Sequence, residues 1–155
     1  MGWQQARLWY LEAALFLLCA GLGACTARPG VIIYTAQGAV VPVTVEVADT
    51  PDARAHGLMY RRELAADAGM LFIFPTASEQ RFWMKNTPLP LDMIFIGTDR
   101  RILGIVADTR PFTTNPLGVT GSSQYVLEVN AGFSAKHGLA AGDMVEFVRI
   151  PDAAS

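Results

Sequence analysis

The chain has 155 residues, with 12 Lys and Arg against 14 Asp and Glu for a formal charge of −2. That is the length of one domain. It also excludes a nucleic-acid binder acting through bulk positive charge, because Lys85 and Lys136 are the only lysines and no extended basic run occurs. Hydrophobic residues make up 52% of the chain, and most of the excess over ordinary globular composition sits at the N-terminus.

Arg7 precedes an apolar stretch from Leu8 to Leu22 that Glu12 interrupts. A membrane-spanning helix needs about 20 predominantly apolar residues, so the uninterrupted part, Ala13 to Leu22, fits the apolar core of a secretory signal instead. Gly23 and Ala24 supply the small side chains that a signal peptidase requires, and Leu22-Gly23-Ala24-Cys25 resembles a bacterial lipobox. By that resemblance residues 1–24 are a signal peptide, Cys25 opens the mature chain and carries lipid, and residues 25–30 form a short tether. The expected address is the periplasmic side of a bacterial membrane, with the membrane as partner through that lipid. The alternative is a plain cleaved signal, an incidental Cys25 and a soluble periplasmic protein. Cys19 lies in the segment to be removed, so the mature chain keeps one cysteine and no internal disulfide.

From residue 31 to 151 short β-type runs recur about every ten positions, the spacing of a compact antiparallel β-sandwich or barrel-like single domain with one short α-helix. Residues 152–155 read as a tail. Strands are predicted at Val31–Tyr34, Val43–Val47, Met70–Phe74, Arg81–Asn86, Asp92–Ile96, Ile102–Asp108, Ser123–Val129 and Val145–Ile150. Val43 to Val47 alternates apolar and polar, as a strand covered on one face does. Met70–Phe74 and Asp92–Ile96 are near-continuous apolar runs that predict cover on both faces. Thr50-Pro51-Asp52 signals a helix start, through a capping hydroxyl, a proline at the first position and an acid at the positive end; the helix is predicted to reach about Tyr60. A further helical turn after Ser134 is closed by Gly138. Residues Arg110 to Ser122, with two prolines and two glycines, read as a long loop of the kind that carries function.

The densest group of unusual residues is Arg81 to Asp92. If its prolines turn a hairpin, Asn86 faces Asp92, Met84 faces Ile94 and Phe82 faces Ile96, while Trp83 and Lys85 take the other side. The polar groups then gather at the proline end like the mouth of a lined pocket. The competing reading is that Asn86 and Asp92 satisfy backbone groups in their own turns.

The blocks Gly57-Leu58-Met59-Tyr60-Arg61, Met70 to Phe74, Phe82 to Thr87, Leu91 to Ile96 and Tyr125 to Gly132 together resemble domain-of-unknown-function family 192 in order and spacing. The resemblance spans about Val43 to Phe147. It implies a mainly β, sandwich-like domain with a short helix, often exported, and it brings no catalytic residues. Arg61, Lys85, Asn86, Asp92, Glu128 and Asn130 match the polar blocks; with Trp83 they are the candidate ligand- or partner-binding residues.

No known catalytic unit is present: there is no Gly-x-Ser-x-Gly, no Ser-x-x-Lys and no glycine-rich phosphate loop. His56 and His137 stand in separate segments, so no metal site and no cofactor is expected. Met59, Met70, Met84 and Met93 read as packing residues rather than soft metal ligands. Two functional expectations follow. The first is an envelope domain that binds a saccharide or peptide without catalysis. The second is a hydrolase of cell-wall or polysaccharide substrate, drawing paired carboxylates from Glu46, Glu79, Asp92 and Glu128, with Asp92 and Glu128 preferred.

Overall fold

A computed structural model describes residues 28–150 of the chain. The expected signal peptide, Cys25 and the tail at 152–155 lie outside the described residues. Seven strands form one sheet in the order β5-β4-β6-β3-β2-β1-β7. They are β1 (Gly30–Tyr34), β2 (Val40–Ala48), β3 (Ala68–Ser78), β4 (Leu91–Ile96), β5 (Ile102–Val106), β6 (Ser123–Asn130) and β7 (Met144–Val148), with helices α1 (Pro51–His56) and α2 (Phe133–His137). The mainly β, barrel-like class expected from the strand spacing is the observed one. The sheet curls until its edges meet: Arg101 bridges to Met144, and Val145 N–H donates to the Arg100 carbonyl at 2.8 Å.

The curl gives the sheet an inside and an outside, and side-chain alternation sorts residues between them. Val31, Val43, Val45, Leu71, Ile73, Ile94, Leu127 and Val129 fill the inner core. Met70, Phe72, Met93, Phe95 and Val126 point outward and pack with Leu58, Met84 and Leu91 into a second core. Hence every residue of β4 is buried, as its continuous apolar run requires.

The second core exists because of one departure from antiparallel order. β2 and β3 are parallel, with Glu46 opposite Met70 and Val47 opposite Leu71. Parallel neighbours need a crossover, and here it carries α1 and the following turns across the sheet. Thr50 caps α1 by accepting the Ala53 N–H at 3.2 Å. The helix stops at His56, short of the predicted Tyr60, because Gly57 takes φ 50°, ψ −134°. A β-carbon at Gly57 would stand 3.1 Å from the Phe72 ring, so glycine both ends the helix and lets it lie on that ring.

The hairpin predicted between Arg81–Asn86 and Asp92–Ile96 does not form. β4 pairs with β5 on one side and β6 on the other, leaving it no edge to offer. Residues 81–86 run instead along the long loop: Phe82 and Leu117 exchange backbone bonds of 2.8 and 2.7 Å, and Met84 N–H donates to Thr113 at 2.8 Å.

Candidate functional site

The α1 crossover, the 81–87 segment and the long loop leave an open cavity of about 450 Å³ over the outer face of the sheet. Phe72 and Phe74 of β3 line it together with Phe82, whose ring meets theirs edge-on at 5.0 and 6.2 Å between centroids. Leu58, Met59 and Trp83 complete much of the apolar wall.

Glu128 is the exception in that wall. β6 pairs it with Met70 on one side and Met93 on the other, so its side chain shares their outward face. It is 4% exposed and lines the cavity. Among the described residues no hydrogen bond or ion pair reaches its carboxyl, and burial pushes it up to about 8 from an ordinary 4.5. Buried polar groups are nearly always partnered, and perturbed groups in clefts mark functional sites.

Several side-chain donors of the cavity wall bond elsewhere. Arg54 gives its guanidinium to the carbonyls of Asp49 at 2.5 Å and Ile73 at 2.8 Å and lies over the Phe74 ring. Arg81 pairs with Glu79 at 2.6 Å, Gln80 donates to Ser78 at 2.8 Å, and the Thr87 hydroxyl donates to the Lys85 carbonyl at 3.2 Å.

The seven residues singled out from the sequence do not converge. Only Trp83 and Glu128 line the cavity. Arg61 forms a two-pronged ion pair with Glu46 at 2.5 Å, which fastens the crossover to β2 and holds the Glu46 carboxyl below its ordinary range. Asn86, at φ 56°, donates to the Tyr60 hydroxyl at 2.8 Å and accepts the Tyr60 N–H through its own carbonyl. Asn130 donates to the carbonyls of Leu64 and Ala65. Lys85 is exposed, its ammonium 5.3 Å from the centre of the Trp83 ring. Asp92 is wholly buried and accepts the N–H groups of Asp108, Gly132 and Ser134 at 2.9, 3.2 and 2.8 Å. Neither Asn86 nor Asp92 serves its own turn, contrary to the competing reading: Asp92 ties down backbone of distant loops, and the Asn86 side chain bonds a side chain on the crossover.

The preferred carboxylate pair, Asp92 with Glu128, fails on the same geometry. Glu128 stands opposite Met93, and Asp92 is the next residue along β4, so the two carboxyls project from opposite faces of one sheet. Among the described residues no group of three or more potential metal-ligating side chains comes together. Phe72, Phe74, Phe82, Arg54 and Gly57 were missed as wall residues. Their signal was an apolar strand whose outward half needed a cover.

Fold and site together define a small curled-sheet domain with an aromatic cavity around one buried acid. The chain belongs to domain-of-unknown-function family 192, described as "Uncharacterized ACR", whose model matches residues 32–147. Among solved structures it is similar to a protein from Sinorhizobium meliloti 1021 named as a candidate transcription regulator. That protein is 42% identical, with a TM-score of 0.75, over 78% of this chain and 94% of the other. A protein of unknown function from Novosphingobium aromaticivorans DSM 12444 is 39% identical, with a TM-score of 0.73, over 76% of this chain and 83% of the other. No curated protein matches the chain.

Proposed function

We propose that this domain is a non-catalytic binding module of the bacterial envelope that takes a peptide segment into the cavity over β3 and β6. The observation that carries the reading is the cavity of about 450 Å³ with aromatic walls and the unpartnered carboxyl of Glu128. A binding pocket of this kind is mostly apolar with few convergent polar groups. A peptide suits it better than a saccharide. A sugar ring brings several hydroxyls, each needing a partner, whereas the cavity wall is mostly apolar and Arg54, Gln80, Arg81 and Thr87 already bond within the protein. Catalysis receives no support: among the described residues no second carboxylate lines the cavity with Glu128, and Glu46, two strands away on the same face, is held by Arg61. The regulator description of the Sinorhizobium protein is not carried over, since 12 basic against 14 acidic residues give no electrostatic footprint for nucleic acid.

The binding reading is tested by panning a random peptide library on the domain and measuring the selected peptides on Thr114→Trp, a bulky plug at an exposed cavity residue. Expected are affinities that fall about tenfold or more in the variant, with the peptides recovered intact. Equal affinity for both proteins would place binding elsewhere, and cleaved peptides would overturn the non-catalytic part.

The envelope address rests on Arg7, the apolar run to Leu22 and the Leu-Gly-Ala-Cys sequence ending at Cys25. Labelled palmitate is expected to enter the full-length protein in a bacterial host, and Cys25→Ala is expected to abolish both labelling and membrane association. Unlabelled wild-type protein, with the variant still sedimenting with membranes, would contradict the lipid anchor.

A further inference from the structure

Resting on the binding reading above, we infer that the cavity recognises an ammonium on an apolar stem, in the form of a lysyl side chain of a peptide, with Glu128 as its counter-ion and Phe72, Phe74 and Phe82 around the stem.

Among the described residues, the floor of the cavity holds a buried acid with no cation beside it. Glu128 is flanked across the sheet by the thioethers of Met70 and Met93, which offer it no donor. The titratable groups lining the cavity besides Glu128 are Arg54, His56 and Arg81. Arg54 and Arg81 are held by Asp49, Ile73 and Glu79, and His56 is exposed, its ring 6.2 Å from that of Tyr60. With no cation beside it Glu128 keeps its proton near neutral pH, and a positive charge arriving with a ligand would favour its ionised form.

The walls favour such a charge over a neutral head. Aromatic faces attract cations, and desolvation strengthens the attraction. The guanidinium of Arg54, 5.3 Å from the Phe74 centroid, already uses one of these rings in that way. A lysyl stem buries four methylenes against the phenyl groups and ends in a compact ammonium with three donors, which matches a single deep acceptor. Binding then ionises Glu128, so each ammonium bound below about pH 8 releases a proton from the cavity.

The test uses the wild-type domain and Glu128→Gln, with chemical-shift titration by three probes: N-acetyl-lysine methylamide, its norleucine counterpart and n-butylamine. On the wild type the lysine derivative is expected to bind about tenfold or more tighter than norleucine. Its affinity should rise with pH from about 6 to about 8 as ionising Glu128 becomes easier. Glu128→Gln should erase both the preference and the pH dependence. Butylamine binding as tightly as the lysine derivative supports ammonium recognition and assigns its source to a free amine. Norleucine binding as well as lysine, or a lysine preference that survives in Glu128→Gln, overturns the inference. It would leave cavity binding standing, because the Thr114→Trp comparison reads that reading separately.

Discussion

Asp92→Ala is expected to cost roughly 2 to 4 kcal/mol, a large share of the stability of an ordinary domain. The carboxyl is fully buried on the inner face and is the sole acceptor recorded for three backbone N–H groups. Two of these belong to the turn that follows β6. Gly132 is the N-cap of α2 and has no side chain to satisfy the first helical amides, so Asp92 reaches across from β4 and accepts the Ser134 N–H instead. The third, from Asp108, holds the chain leaving β5. Alanine strands the buried Ser134 N–H, at roughly 1 to 3 kcal/mol, and leaves the part-buried Asp108 and Gly132 N–H groups to water at a smaller cost. Asn at position 92 keeps one acceptor oxygen for Asp108 and Gly132 but turns an amide N–H₂ toward Ser134, so Asp92→Asn should lose about half as much. Urea unfolding measures both: the midpoint should fall in the order wild type, Asn, Ala with an unchanged slope. Two variants within about 1 kcal/mol of wild type would mean that the three bonds carry no net stability.

The same residue shows where sequence reading stopped. Its place in a strand covered on both faces was legible, because Met93 to Ile96 is continuously apolar and only a doubly buried strand uses such a run. Its partners were not, since they lie 16 to 42 residues away and are backbone groups that no side-chain pattern announces. Arg81–Asn86 failed for a related reason. Phe82 and Met84 alternate with polar neighbours as in a strand, but β4, the nearest partner in sequence, has both edges occupied by strands that arrive later in the chain. The parallel β2–β3 pair was equally hidden, although its crossover helix was signalled by Thr50 and Pro51. For the site, polarity near prolines pointed to residues that anchor turns. The one buried acid facing the cavity was visible only as a charge interrupting the apolar run from Tyr125 to Val129.

Glu128→Gln is expected to stabilise the domain at and above neutral pH. The folded-state value of about 8 lies above the ordinary 4.5, so between those limits the folded protein holds a proton that the unfolded chain has released. Stability linked to Glu128 is therefore fully present below about pH 4.5, declines as pH rises, and is lost once pH passes about 8. At 1.36 kcal/mol per unit the loss is on the order of 3 kcal/mol by pH 7, and larger beyond it. Glutamine has nearly the same shape and never ionises, so it escapes the penalty. The other displaced carboxyl acts with opposite sign in another window: Arg61 lowers Glu46, whose contribution is lost only as pH falls below the ordinary carboxylate range. Tyr34 is raised above 10 by its hydrogen bond to Glu146 and titrates above that window. Unfolding midpoints in urea from about pH 5 to about pH 9 should therefore converge for wild type and variant at the acid end, with the variant ahead at the alkaline end. A residue whose removal stabilises a fold trades stability for something else, which is the pattern of functional sites. Parallel curves across the whole range would show that water or an unseen donor already serves the Glu128 carboxyl, and the case for a cation-seeking cavity would fall with it.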